Sequence, residues 1–253
     1  MTIPYWMSRT QLLLGDEKLE TLINKNVLVV GLGGVGGICA EMIARTGVGK
    51  MTIIDNDVVD LSNGNRQIPA LHSTAGRPKT EVMAERLKDI NPELDLTVKA
   101  IFLDAEGQLI SSILEEGNFD YAVDCIDTLG PKVSFIKTCV EKNIPIVSSL
   151  GAGGKVDPSQ VRVADISKTY QCTLAKYVRK RLNEVGIREG FKAVFSPEEI
   201  DAERVIVSEK AFPKKSLIGT ISYMPAIFGC TVASVVIREL LETPSLPSTS
   251  PLH

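Results

Sequence analysis

Three observations in this sequence predict an α/β fold built on a doubly wound sheet, parallel in its N-terminal half and continued by an antiparallel extension in its C-terminal half. The first is Val27-Leu28-Val29-Val30 running straight into Gly31-Leu32-Gly33-Gly34-Val35-Gly36. A continuous apolar run suits a strand buried on both faces, and the glycines permit a turn that brings backbone N–H groups against a phosphate. The second is the regular exchange of apolar runs with amphipathic helical stretches up to about residue 150, followed by a less regular half. The third is a pair of acids, Asp55 and Asp127, each closing an apolar run. In open α/β sheets ligands bind outside the carboxyl ends of the strands, where both acids would fall.

With 253 residues, 44% of them hydrophobic and 23% charged, the chain has ordinary globular composition and enough length for a full core. A net charge of −3 excludes a globally basic surface, so any nucleic-acid contact has to be local. No basic-then-apolar leader begins the chain, and the longest apolar stretch, residues 226–237, is too short to cross a bilayer. A cytoplasmic protein without membrane contact is the expectation. The five cysteines form no C-x-x-C pair and the histidines are only His72 and His253, which argues against a zinc site or a disulfide framework.

Taken in order, residues 16–22 form a short helix, residues 27–30 the first strand, and Ile38, Met42 and Ile43 the apolar face of the next helix. Gly31, Gly33 and Gly36 fit G-x-G-x-x-G, with the helix N-terminus facing the anion. The strand at residues 51–54 delivers Asp55 about 20 residues beyond the loop, where a ribose-binding carboxylate belongs. Ser62-Asn63-Gly64-Asn65-Arg66-Gln67 is a polar loop with one guanidinium among amides, suited to phosphate and equally readable as a solvated connection. Residues 78–90 make a helix with Pro78 at its favoured first position. Lys79 then opposes the helix dipole, which an anion lying between them explains.

A strand at residues 96–102, a helix at 106–115 and a strand at 121–127 follow, and the last delivers Asp127. Asp127 reads either as a group working at Mg²⁺ or the phosphates, or as a cap for the next helix, residues 132–142. Residues 144–149 give another strand, and Gly151-Ala152-Gly153-Gly154 a close backbone approach on the substrate side. Short strands at 161–164, 193–195 and 217–223 make the antiparallel extension. The helix at residues 174–185 carries Lys176, Arg179, Lys180 and Arg181, with Arg188, Lys192, Lys210, Lys214 and Lys215 nearby in sequence. It is either a solvated face or the local basic surface for RNA. The helix at 225–241 is apolar enough to be buried on all sides. Residues 1–242 read as one domain and the Pro- and Ser-rich residues 243–253 as a disordered tail.

Gly31 to Gly36, Asp55-Asn56-Asp57, Ser62-Asn63 with Asn65-Arg66-Gln67, Gly76-Arg77-Pro78-Lys79 and Asp124 to Asp127, in this order, resemble the ubiquitin-activating-enzyme-like adenylating family. The resemblance implies a Rossmann-like sheet that binds ATP and Mg²⁺ and adenylates a carboxylate. It implies that Gly31, Gly33, Gly34, Gly36 and Asp55 hold the nucleotide, with Asp57, Ser62, Asn65, Gln67 and Thr128 around it. It further implies that Asn63, Arg66 and Lys79 hold the phosphates, that Asp127 works at Mg²⁺, and that Arg9 reaches the site of a second subunit in a homodimer. Arg9 to Gly15, Gly151 to Lys155 with Asp157-Pro158, Val194-Phe195-Ser196 and Gly219 to Pro225 resemble, within that family, the tRNA threonylcarbamoyladenosine dehydratases. The implied partner is tRNA carrying threonylcarbamoyladenosine, and Lys176, Arg179, Lys180 and Arg181 would meet its phosphates. A monovalent cation and a cysteine-desulfurase or other sulfur-transfer partner stay open.

Two other activities compete. An activator of a small ubiquitin-like sulfur-carrier protein would share the adenylation site, but in the relatives that do this two C-x-x-C zinc pairs are present and here there is none. An NAD-dependent oxidoreductase would use the glycines and Asp55, but gives no work to Asn63, Arg66, Lys79 and Asp127 together.

Overall fold

The computed structural model of the chain describes residues 3–201, 205–207 and 216–242. Seven strands, β1 (Asn26–Val30), β2 (Lys50–Ile54), β3 (Asp95–Lys99), β4 (Tyr121–Asp124), β5 (Ile146–Ser149), β6 (Arg162–Asp165) and β7 (Lys192–Phe195), form one sheet in the order β3-β2-β1-β4-β5-β7-β6. Helices α1 (Ser8–Leu14) and α2 (Asp16–Ile23) precede it. The others are α3 (Gly36–Arg45), α4 (Lys79–Ile90), α5 (Gln108–Glu116), α6 (Leu129–Glu141), α7 (Thr173–Glu184) and α8 (Tyr223–Leu241). Strand order reverses at β1, whose two neighbours β2 and β4 both run parallel to it. A crevice at the carboxyl ends of β1 and β4 is the geometric result.

The two faces of β1 explain why its sequence is apolar throughout. Val27 and Val29 pack into a core formed with Cys39, Ile43, Met83, Phe228 and Val232 from α3, α4 and α8. Leu28 and Val30 face the opposite core, built with Ile113, Phe135, Val178 and Leu182 from α5, α6 and α7. A period-2 strand with helices on both sides has no polar face to show.

The antiparallel extension is narrower than the sequence pattern predicts. Residues 193–195 belong to β7, which pairs parallel with β5, and within this sheet, among the described residues, β6 alone is antiparallel. Residues 217–223 split: Ser216–Ile218 is strand β9, paired antiparallel with β8 (Val205–Val207) in a separate two-stranded sheet, and α8 begins at Tyr223. The tail at 243–253 and Lys210, Lys214 and Lys215 lie outside the described residues.

At 19 residues, α8 is longer than the apolar run within it and by length and composition alone is sufficient to cross a membrane. Its packing says otherwise. Met224, Phe228, Val232, Val235 and Val236 are buried in the core, but the helix is not buried on all sides: Tyr223, Ile227, Cys230, Ser234 and Arg238 form an exposed face. At about 1.5–3 kcal/mol per buried side chain, the five core residues are comparable with the whole net stability of a domain, about 5–15 kcal/mol.

Candidate functional site

The glycine loop is fixed by contacts that exclude any side chain at two points. Gly31 has φ +89°, and a Cβ on Gly36 would stand 1.7 Å from the Gly31 carbonyl oxygen. The same loop rests on the β4 turn, since a Cβ on Gly31 would lie 2.7 Å from the Cys125 carbonyl oxygen. Gly34 packs on Pro225 at the start of α8, with the Arg66 carbonyl oxygen also close. Gly33 is different. A Cβ there would meet only the Gln67 amide, at 3.7 Å, so the space above Gly33 is open to a ligand.

Asp55 follows β2 directly and holds the loop in place. Its Oδ2 accepts the Leu32 N–H at 2.6 Å, and its Oδ1 accepts the Asp57 N–H at 2.8 Å. Burial raises the Asp55 carboxyl above its ordinary pKa, more strongly than these two N–H groups and Lys79 lower it. Asp57 in turn meets Lys79, whose Nζ donates to Asp57 Oδ2 at 2.8 Å and whose N–H donates to the Asp57 carbonyl oxygen at 3.0 Å. Lys79 is buried, and Pro78 is the N-cap rather than the first helical residue of α4. The anion that the sequence requires beside Lys79 is thus the chain's own Asp57 carboxylate.

The polar loop opens with a short 3-10 helix, Leu61–Asn63, capped by Asp60, whose carboxylate accepts the Ser62 N–H. Arg66 is half-buried, and its Nη1 donates to the Ser62 carbonyl oxygen at 3.1 Å and to Asn65 Oδ1 at 2.8 Å. Asn65 Nδ2 donates to the Thr220 carbonyl oxygen at 2.9 Å, tying the loop to the segment that enters α8. Gln67 Oε1 is a buried oxygen without a hydrogen-bond partner, while the Nε2 of the same amide is the atom that faces Gly33.

The strand predicted to run to Asp127 stops at Asp124. The Asp124 side chain accepts the Ile126 N–H on Oδ1 at 3.0 Å and so turns the chain out of the sheet. Asp127 is therefore exposed on the turn, with the Thr128 hydroxyl donating to it at 3.3 Å, and the N-cap of α6 is Thr128.

Asp124 is part of a cluster that sequence reasoning missed. Lys132, on α6, and Asp124 are both fully buried; Lys132 Nζ donates to Asp124 Oδ2 at 2.5 Å, Ser148 Oγ at 3.2 Å and the Ser149 carbonyl oxygen at 2.9 Å. Ser148 Oγ donates to the same Asp124 oxygen at 2.5 Å. Burial raises the Asp124 carboxyl, and Lys132, Ser148 and the Ile126 N–H oppose that rise. A lysine in the first turns of a helix was the available signal, the one that singles out Lys79.

Arg9 lies exposed on α1, a helix without a buried residue, well before the glycine loop in sequence. The basic face of α7 shows Lys176, Lys180 and Arg181, with the exposed Tyr177 among them. Arg179 does not belong to it: its Nη1 turns inward to the Thr169 carbonyl oxygen, at 2.8 Å, and hydroxyl. Four of the five thiols are held away from the thiolate form that a nucleophile needs. Burial, followed by the Asp124 charge, pushes Cys125 up to about 12, and burial raises Cys39, Cys139 and Cys230 as well.

The chain is similar to a Bacillus subtilis tRNA threonylcarbamoyladenosine dehydratase, 38% identical over 242 residues, covering 93% of this chain and 94% of that one. An Escherichia coli enzyme of the same name is 36% identical over 256 residues, again covering 93% and 94%. The crystal structure of the E. coli tRNA N6-threonylcarbamoyladenosine dehydratase in complex with ATP superposes with a TM-score of 0.83 at 35% identity, covering 95% of this chain and 97% of that one. Residues 7–252 match the sequence model of the ThiF family. With relatives aligned over nearly their whole length and the same fold in a solved member, the chain belongs to the ThiF family.

Proposed function

We propose that this chain is an ATP-dependent tRNA threonylcarbamoyladenosine dehydratase. The observation that carries this reading is the extent of the likeness: relatives of that name match 93% of the chain, including the irregular half beyond β5. The nucleotide site is the crevice at β1, β2 and β4. The open space above Gly33 and the loop N–H groups receive phosphates, and Asp55 the ribose, with the Gln67 amide nitrogen facing the same space. Arg66, Lys79 and Asn63 offset the charge on the phosphates, and Lys79 does so from a position already set by Asp57.

A carboxylate cannot leave as oxide at neutral pH, so the threonyl carboxylate is first activated. Its oxygen attacks the α-phosphorus of ATP, the bond to pyrophosphate breaks, and a mixed anhydride with AMP results. The carbamoyl group of the same nucleoside then attacks the acyl carbon at high effective molarity; AMP leaves, and the net change is loss of one water. Asp127, exposed at the turn, would hold Mg²⁺, which when bound supplies further neutralisation of phosphate charge. No protein thiol takes part.

The enzyme acts in this reading as a cytoplasmic homodimer, with Arg9 of each protomer serving the other's site. Exposed Tyr5, Leu12 and Leu13 support it, because the 82% exposure of both leucines gives α1 an apolar face suited to a second copy. The sulfur-carrier activator stays a weaker alternative for want of the paired cysteines.

Incubation with ATP, Mg²⁺ and bulk tRNA should remove the mass of one water from the modified adenosine, and pyrophosphate exchange into ATP should require modified tRNA. Tight NADH binding with no tRNA-dependent nucleotide turnover would refute the proposal.

A further inference from the structure

We propose that Asp124 is a positioning residue for the adenylation step, and that Lys132 and Ser148 clamp it so that its free oxygen sets the turn presenting Asp127. The geometry divides the carboxylate cleanly. Oδ2 is held by Lys132 and Ser148, from α6 and β5, while Oδ1 accepts the Ile126 N–H next to Asp127. Lys132 also bonds the Ser149 carbonyl oxygen, so one ammonium joins the carboxyl ends of β4 and β5 to the start of α6. Immediately beyond Asp124, the Cys125 carbonyl oxygen is the surface on which Gly31 packs. The clamp therefore registers the glycine loop and Asp127 against each other.

A buried ion pair is a poor way to gain stability, since well-packed apolar residues in its place are often neutral or better. Its occurrence at a strand end whose following turn bears an exposed acid points to placement rather than to folding energy.

The inference rests on the assignment of Asp127 to phosphate chemistry, and the test separates the two. Asp124→Val/Lys132→Met removes both charges and the acceptor for Ile126 N–H, while Asp124→Asn/Lys132→Met removes the charges but keeps an acceptor oxygen. In the nucleotide-free protein the Val/Met variant should exchange its Ile126 amide at least about tenfold faster than wild type, and the Asn/Met variant should retain most protection. Pyrophosphate exchange should fall at least about tenfold in Val/Met, with ATP affinity within about threefold and substantial recovery in Asn/Met. Introduced into Asp127→Asn, the Val/Met pair should cause no further loss, because both changes remove one function.

Equal losses in the two variants, an unaltered Ile126 amide, or losses that multiply with Asp127→Asn would overturn the proposal. A fully active Asp127→Asn would instead refute the assignment of Asp127, leaving amide exchange to decide the placement of the turn. Should the double variants fail to fold, Ser148→Ala removes one donor to Asp124 Oδ2 and should lower exchange a few-fold in wild type but not in Asp127→Asn.

Discussion

Gly33 and Gly36 belong to one sequence pattern but answer to different constraints. A methyl at Gly36 would collide with the Gly31 backbone at 1.7 Å, whereas at Gly33 it would reach ordinary contact with Gln67 at 3.7 Å. Gly36→Ala should therefore destabilise the fold by more than about 2 kcal/mol, seen as a lowered thermal midpoint. Gly33→Ala should leave that midpoint nearly unchanged while weakening ATP binding at least about tenfold in calorimetry, because the new methyl takes phosphate space. The spacing of glycines and acids locates the crevice, because the glycine loop and Asp55 directly follow β1 and β2. What it concealed was local competition: Cys125 and Ile126 continue the apolar run, yet the Asp124 side chain captures the Ile126 N–H and ends the strand early. The inward turn of Arg179 was hidden for a related reason, since its partner Thr169 lies outside the helix that carries it.

Between elements, Glu41 joins α3 to α4 through Arg86 Nε at 2.5 Å and holds Arg45 Nε at 2.8 Å. Burial would raise the Glu41 carboxyl, but hydrogen bonds from the two arginines and their charges prevail and hold it below its ordinary value of 4.5. A carboxyl lowered in the folded state contributes stability above its unfolded pKa and loses it as pH falls through the folded one. The advantage of the wild type over Glu41→Gln in urea denaturation should be full above pH 4.5 and vanish in more acid solution. On α7, Lys176→Glu/Lys180→Glu should lower tRNA affinity and reduce the magnitude of the slope of log affinity against log salt by about two. Arg179→Ala should destabilise the helix contact without flattening that slope. The buried strands β1, β2, β4 and β5 and the helices packed on them followed the apolar pattern, whereas β7, β9 and the exposed α1 did not. Short strands carry too few residues to reveal which neighbour they pair with.

Across the whole molecule, the exposed α1 gives subunit exchange a clear forecast. Arg9→Ala and Asp127→Ala, each inactive alone, form heterodimers in which one site has both defects and the other has neither. Random two-fold pairing should restore about a quarter of all sites in pyrophosphate exchange. Mixtures that exchange subunits yet stay inactive would place Arg9 in its own chain's site. The packing of Gly34 on Pro225, and of Asn65 on Thr220, has a consequence for synthesis on the ribosome. The glycine loop, Asp55 and Asp127 emerge early, but the surface that supports the loop belongs to the last described helix. After β5 some 92 residues separate Ser149 from Leu241. At ~5–20 residues per second, the nascent nucleotide crevice waits roughly 5–20 s for its floor, with the apolar side of α3 uncovered to chaperones throughout.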